Sequence, residues 1–247
     1  MRIARFALAG KDPAYGVIEL AVDGGDHPDT IAALTADPLA GVPVNYTGER
    51  HDLDDVRLLA PVIPRSKVVG VGKNYAEHAK EMGGEVPESP LLFFKPNTSV
   101  IGPNDTIIRP VGCESLHFEG ELAVVIGRIC KQVPVERVPE VIFGYTIAND
   151  VTARDWQATD GQWARAKGSD TFLPLGPWMN THLTIEEESS LLIDYWFEDK
   201  VESELFRYGP PPPIKPPPRP KFGVSSRWVG QPETRGEGSK RGWWRRG

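Results

Sequence analysis

The sequence predicts a β-rich α+β fold, a curled sheet preceded by a small N-terminal β unit. Three observations carry this reading. Short apolar runs recur between residues 2 and 148, each bounded by Gly, Pro, Asn or Asp, which is how strands separated by turns are written. Helical periodicity of 3.6 is never sustained over a long segment. The 247 residues are 40% hydrophobic and 25% charged, ordinary globular usage with enough apolar material to bury a sizeable core.

Taken in order, Arg2–Leu8 alternates in part and Gly16–Val22 is a second apolar run, so both read as strands, with Asp23-Gly24-Gly25-Asp26 as a turn. Asp29–Leu34 reads as the start of a short helix, with Asp29 or Thr30 as N-cap. Val56–Val62, ahead of Pro64, leads into the next unit. Ser66–Gly72 is a strand candidate ending in glycines, and Asn74–Met82 reads as one or two helical turns stopped by Gly83-Gly84. Leu91–Pro96 reads as a short buried strand and Thr106–Arg109 as another strand, Leu116–Ile126 alternates and then turns apolar, and Val141–Ala148 is an apolar run that stops at Asn149-Asp150.

The net charge of −6 gives no general reason to expect nucleic acid or an anionic membrane as a partner. No apolar run approaches the length of a membrane span, and the apolar start is broken by Lys11, Asp12 and Pro13, which argues against a secretory signal. The two cysteines, Cys113 and Cys130, form no CxxC pair; a disulfide scaffold and a thiolate zinc site are disfavoured, and a reducing cytoplasmic setting is expected. Charge and composition shift near the end of the chain. Residues 201–247 hold ten Lys/Arg against four Asp/Glu and nine of the 24 prolines. Proline runs enforce polyproline II and remove backbone donors, so the expectation for 184–247 is a disordered tail; a proline-rich ligand or a basic contact for nucleic acid is the other way to read it.

Three carboxylates stand out by position. Glu119 and Glu121 are two apart in a strand candidate, which places both side chains on one face. Two adjacent anions facing a core repel, and a divalent cation resolves the conflict. Asp150, at the end of an apolar run, completes a three-oxygen set whose hard ligands favour Mg²⁺, Mn²⁺ or Ca²⁺ over zinc. A solvent-facing pair on an amphipathic strand explains the same E-x-E spacing. His78 and Glu81 are three apart and share a helix face, so Glu81 can orient the imidazole; a solvated surface helix with Glu77 and Lys80 is the alternative. Arg154, Gln157 and Lys167 are unremarkable one by one.

Together these residues resemble the fumarylacetoacetate hydrolase family. Gly72–Glu81 (GKNYAEHAKE) resembles that family's G-x-N-Y-x-x-H-x-x-E segment, and His117–Leu122 (HFEGEL) its E-x-E metal strand. Asn149–Gln157 (NDVTARDWQ) resembles its D-x-T-A-R-D-x-Q segment, and Trp163–Gly168 (WARAKG) its lysine segment. The four motifs occur in the family's order between about Val62 and Leu183. The resemblance implies a mixed β-sheet roll, with residues 1–60 as the small N-terminal domain of bacterial members and 61–183 as a partial catalytic domain. It implies Glu119, Glu121 and Asp150 as ligands of Mg²⁺ or Mn²⁺, and His78, oriented by Glu81, as general base. Lys167, with Gln157 and Arg154, would bind the substrate and stabilise developing negative charge. The implied substrate is a small 2-oxo or β-diketo acid of aromatic-compound or oxo-acid catabolism, the implied assembly a homodimer. The reaction class stays open among hydrolysis, isomerisation and decarboxylation, because all three profit from a stabilised enolate. The resemblance also fails at one place: no Thr-Gly-Thr-Pro loop follows. That points to a frameshifted or truncated product, and it sets a rival expectation, an inactive member that retains a metal half-site.

Overall fold

The computed structural model describes residues 1–21, 28–73 and 87–182. Thirteen strands, two short α-helices and three 3₁₀ segments (Leu53–Asp55, Asn97–Ser99 and Val135–Glu140) account for its regular structure among these residues: β1 (Arg2–Ala7), β2 (Ala14–Glu19), β3 (Thr30–Leu34), β4 (Tyr46–Asp52), β5 (Arg57–Leu59), β6 (Val68–Gly72), β7 (Leu91–Lys95), β8 (Val100–Ile101), β9 (Leu116–His117), β10 (Gly120–Ile126), β11 (Ile142–Asn149), β12 (Thr152–Ala153), α1 (Arg154–Thr159), α2 (Ala164–Gly168) and β13 (Leu173–Asn180). The main sheet runs in the order β10-β11-β13-β1-β2-β3-β4, with β5 added to β1 and β8 added to β13. Its pairs are antiparallel except β8 with β13, so the sheet is mixed and the chain strand-rich. Two smaller ribbons, β6 with β7 and β9 with β12, complete the strand pairing.

The N-terminal strands cohere because their alternate residues are apolar. Ala4, Phe6, Ile18, Ile31 and Ala33 form one buried cluster, with Leu58 and Trp178 packed on it. The first strand also joins the N-terminal strands to the rest: Arg2 and Ile3 pair with Asn180 and Met179 of β13. A second cluster, Ile107, Cys113, Val151, Ala153 and Phe172, lies around the β11–β12 connection. It gives the acidic segment at the end of β11 an apolar floor.

Three local expectations are corrected. Asp29–Leu34 is not a helix start but leads into β3, which pairs with β2 on one side and β4 on the other. The alanines that favour a helix in isolation are here buried between two neighbours, and sheet pairing overrides propensity. Asp29 caps no helix; its Oδ1 accepts the Ala21 N–H at 2.7 Å. Thr106–Arg109 forms no strand, since Ile107 is tucked into the second cluster and the Ile108 N–H donates to Thr171 Oγ1 at 2.8 Å instead of to a ladder. The run Leu116–Ile126 is interrupted at Phe118-Glu119, between β9 and β10, so Glu119 and Glu121 do not belong to one uninterrupted strand. The helical turns expected at Asn74–Met82, and the tail 184–247, lie outside the described residues.

Candidate active site

The site is built where β11 ends. Eight residues of β11 are held between β10 and β13, and the strand delivers Asn149 and Asp150 into the interior, both buried. Two hydrogen bonds lock them to the β9–β10 break: the Asp150 N–H donates to Glu119 O at 2.8 Å, and the Glu119 N–H donates to Asn149 Oδ1 at 3.0 Å. Continuing the β10–β11 register by one residue sets Glu119 opposite Asp150, where cross-strand side chains share a face.

Beyond Asp150 the chain is fixed by Thr152 Oγ1, which donates to Asp150 O at 2.8 Å, and by the Arg154 N–H, which donates to Ser115 O at 2.8 Å. Arg154 opens α1, so Gln157 stands one helical turn further on, and Arg154 Nη1 donates to Gln157 Oε1 at 2.8 Å. The other terminal nitrogen, Nη2, donates to Glu119 Oε1. Near the end of α2, Lys167 Nζ donates to Glu119 Oε2 and to Asp150 Oδ2, each at 2.7 Å, with its side chain only 4% exposed. The same ammonium lies 5.0 Å from the centre of the Phe93 ring, a cation–π contact made stronger by desolvation.

A second buried lysine completes the cluster. Lys95, the last residue of β7, donates to the carbonyls of Val151 at 3.2 Å and Phe172 at 2.9 Å, and to that of Lys167. Its ammonium also stands 2.6 Å from Asp150 Oδ1. Asp150 Oδ1 thus faces one lysine ammonium and Asp150 Oδ2 the other.

Burial and charge act in opposite directions on these groups. Burial raises the Asp150 carboxyl above its ordinary range, and the two lysines only partly offset it. Burial pushes Glu119 up as well, but there Lys167 and Arg154 win and hold it below the usual carboxylate range. Burial pulls Lys95 down to about 8, against the opposing attraction of Asp150. Two carboxylates whose environments drive them apart are the arrangement expected of a functional site.

Of the residues singled out in the sequence, Glu119, Asp150, Arg154, Gln157 and Lys167 are brought together. Glu121 lies in β10 opposite Ala148, and among the described residues no group of three His, Cys, Asp or Glu side chains is gathered closely enough to hold a metal ion. His78 and Glu81 lie outside the described residues. The oxygens of Glu119 and Asp150 are the hard donors that a divalent cation takes, and among the described residues each of them faces a side-chain cation, Arg154, Lys167 or Lys95. Lys95 and Asn149 were not anticipated. The signal for Lys95 was present, a lysine at the end of the apolar run Leu91-Leu92-Phe93-Phe94, where a charge is seldom buried without a partner.

Residues 67–205 match the family described as fumarylacetoacetate (FAA) hydrolase, C-terminal, and residues 1–61 match a Rv2993c-like N-terminal family. Protein Rv2993c of Mycobacterium tuberculosis is 52% identical over 185 residues, 74% of this chain and 67% of that protein. Among solved structures, a 5-carboxymethyl-2-hydroxymuconate delta-isomerase from Mycobacterium smegmatis is 50% identical with a TM-score of 0.64, over 74% of this chain and 68% of the other. A 2-hydroxyhepta-2,4-diene-1,7-dioate isomerase from Mycobacterium marinum is 46% identical with a TM-score of 0.64, over 74% and 67%. The chain thus spans about two thirds of the length of these relatives. With residues of three of the four motifs meeting in one buried cluster and a family match over more than half its length, the chain belongs to the fumarylacetoacetate hydrolase family of enzymes.

Proposed function

We propose that this chain is a metal-dependent enzyme acting on small 2-oxo or β-diketo acids, by C–C bond hydrolysis, isomerisation or decarboxylation. The observation that carries the reading is the buried Lys167 ammonium held between the Glu119 and Asp150 carboxylates, with Arg154 and Gln157 beside them. Glu119, Glu121 and Asp150 would hold Mg²⁺ or Mn²⁺. When bound, such an ion supplies Lewis acidity toward the oxygens of a 2-oxo acid. The chain's own residues do the rest. Lys167, fixed between two carboxylates, presents a preorganised donor to the negative oxygen that develops on the substrate. Arg154, steadied by Gln157, offers a planar cation suited to a substrate carboxylate. His78, oriented by Glu81, takes a proton from water or from a substrate carbon. A cytoplasmic homodimer serving aromatic-compound or oxo-acid breakdown belongs to the same reading; among the described residues no helix is long and apolar enough to cross a membrane.

A panel of oxaloacetate and acylpyruvates, assayed with Mg²⁺, with Mn²⁺ and with chelator, tests it. Turnover that appears with metal and disappears with chelator is expected. Metal binding without turnover of any panel member would favour the rival, an inactive family member that retains a metal half-site.

A further inference from the structure

We propose that Phe93 is a positioning residue of this site: the face of its ring steadies the Lys167 ammonium without tying up its third N–H. The proposal rests on the enzymatic reading above, in which that ammonium serves the substrate. Phe93 and Lys95 stand two apart in β7 and share the face of the strand that meets the buried cluster. Lys167 Nζ lies 5.0 Å from the centre of the Phe93 ring, within range of a cation–π attraction. An ammonium has three N–H donors, and two of Lys167's go to Glu119 Oε2 and Asp150 Oδ2, each at 2.7 Å. Among the described residues no third oxygen accepts from it.

The ring is itself held. Gly70 stands opposite Phe93 in the β6–β7 ribbon, and a Cβ there would collide with the ring, so the glycine is what lets the ring lie across the ribbon. Trp163, the residue before α2, meets Phe93 edge-on, with ring centres 5.8 Å apart and planes at 69°, and it also packs against Gly72. The two glycines of β6 thus make room for two aromatic rings beside the helix that carries Lys167. An aromatic face suits this place better than an oxygen. A carbonyl or carboxylate at the same point would accept the third N–H and commit it, whereas a ring attracts the charge without fixing one proton. The third donor is then left for the negative oxygen that develops on the substrate.

Stepwise fluorination of the Phe93 ring in the full chain separates this role from simple packing, because each fluorine weakens the face while nearly keeping the shape. Mono-, di- and trifluorophenylalanine are placed at position 93 in the wild type and in Lys167→Met, and urea unfolding is measured for each. Positioning predicts a stepwise loss, about tenfold in the folding equilibrium constant for the trifluoro ring, which disappears when Met replaces the lysine. Space-filling predicts a flat or rising series, since fluorine adds apolar surface. A flat or rising series overturns the proposal, and so does an equal fall in Lys167→Met. If Lys167→Met does not fold, the wild-type series decides alone on the same criterion. Turnover of oxaloacetate and acylpyruvates with Mg²⁺ is then measured along the wild-type series. A fall in kcat with KM nearly unchanged is expected, the mark of an interaction made in the transition state. A constant kcat beside falling stability overturns the positioning role, since the contact would then only hold the fold. A wild-type chain that turns over none of these acids sinks the enzymatic reading and the positioning role with it. The unfolding series tells that result apart from a missing Phe93–Lys167 contact.

Discussion

Replacing Lys167 by Met would remove the ammonium that lies 2.7 Å from both Glu119 Oε2 and Asp150 Oδ2 and leave two buried carboxylates side by side. Breaking a buried pair by deleting one partner costs about 3–5 kcal/mol, so Lys167→Met is expected to lower the unfolding free energy by that amount and the urea midpoint with it. Added Mg²⁺ should recover part of the loss, because a cation can take over the neutralising role. Urea titrations with and without Mg²⁺ measure both effects. Lys95 gives the site its pH dependence. Burial holds this lysine near 8 in the folded chain, whereas an unfolded lysine titrates at about 10.4. Between these values the unfolded chain binds more protons, so this group makes stability rise as pH increases through the window from about 8 to about 10.4, and contributes a constant penalty below it. Unfolding midpoints at about pH 7.5 and about pH 9.5 should differ less in Lys95→Met than in the wild type. An equal difference in both would show that another group titrates.

At the scale of elements, the site depends on how closely β11 and β13 approach. Gly144 in β11 has no room for a side chain: a Cβ there would run into the main-chain carbonyl of Asn180 in β13. Gly144→Ala is therefore expected to destabilise by about 1–3 kcal/mol, the usual cost of overpacking, measured by thermal unfolding. Elements were legible in the sequence where an apolar run had one plain interpretation, as in β1, β2, β6, β7 and β11. They were illegible where the physics is non-local. β4 reads as polar and mostly exposed, Tyr46–Asp52, and is a strand because β3 offers it a partner. β13 carries Pro174, Gly176 and Pro177, residues that locally argue against a central strand, yet it joins β11 to β1. The same holds for the site. Glu119, Asp150, Arg154, Gln157 and Lys167 were legible through motif order. Lys95 was not, because its partners are the carbonyls of residues 56 to 77 positions away, which no local pattern encodes.

Across the whole molecule, β1 ties the N-terminal strands to β13, and the amino terminus is closed by the Thr181 N–H, which donates to Met1 O at 3.0 Å. The β6–β7 ribbon presents an apolar face: the cross-strand pairs Val69–Phe94 and Val71–Leu92 are all exposed, the kind of surface that marks a contact. The charged cluster is the opposite case, buried and closed by its own salt bridges, and its occupancy by a cation should be felt by the entire fold. A ligand that binds only the folded chain stabilises it by about 2.7 kcal/mol at a hundredfold excess over Kd, which for a chain of this size raises Tm by about 5–10 °C. Thermal unfolding of the full chain with and without saturating Mg²⁺, in the wild type and in Asp150→Asn, is the direct test. The wild type should gain about 5–10 °C and Asp150→Asn little or nothing. The same gain in both proteins, or none in the wild type, would contradict a divalent cation held by Glu119 and Asp150.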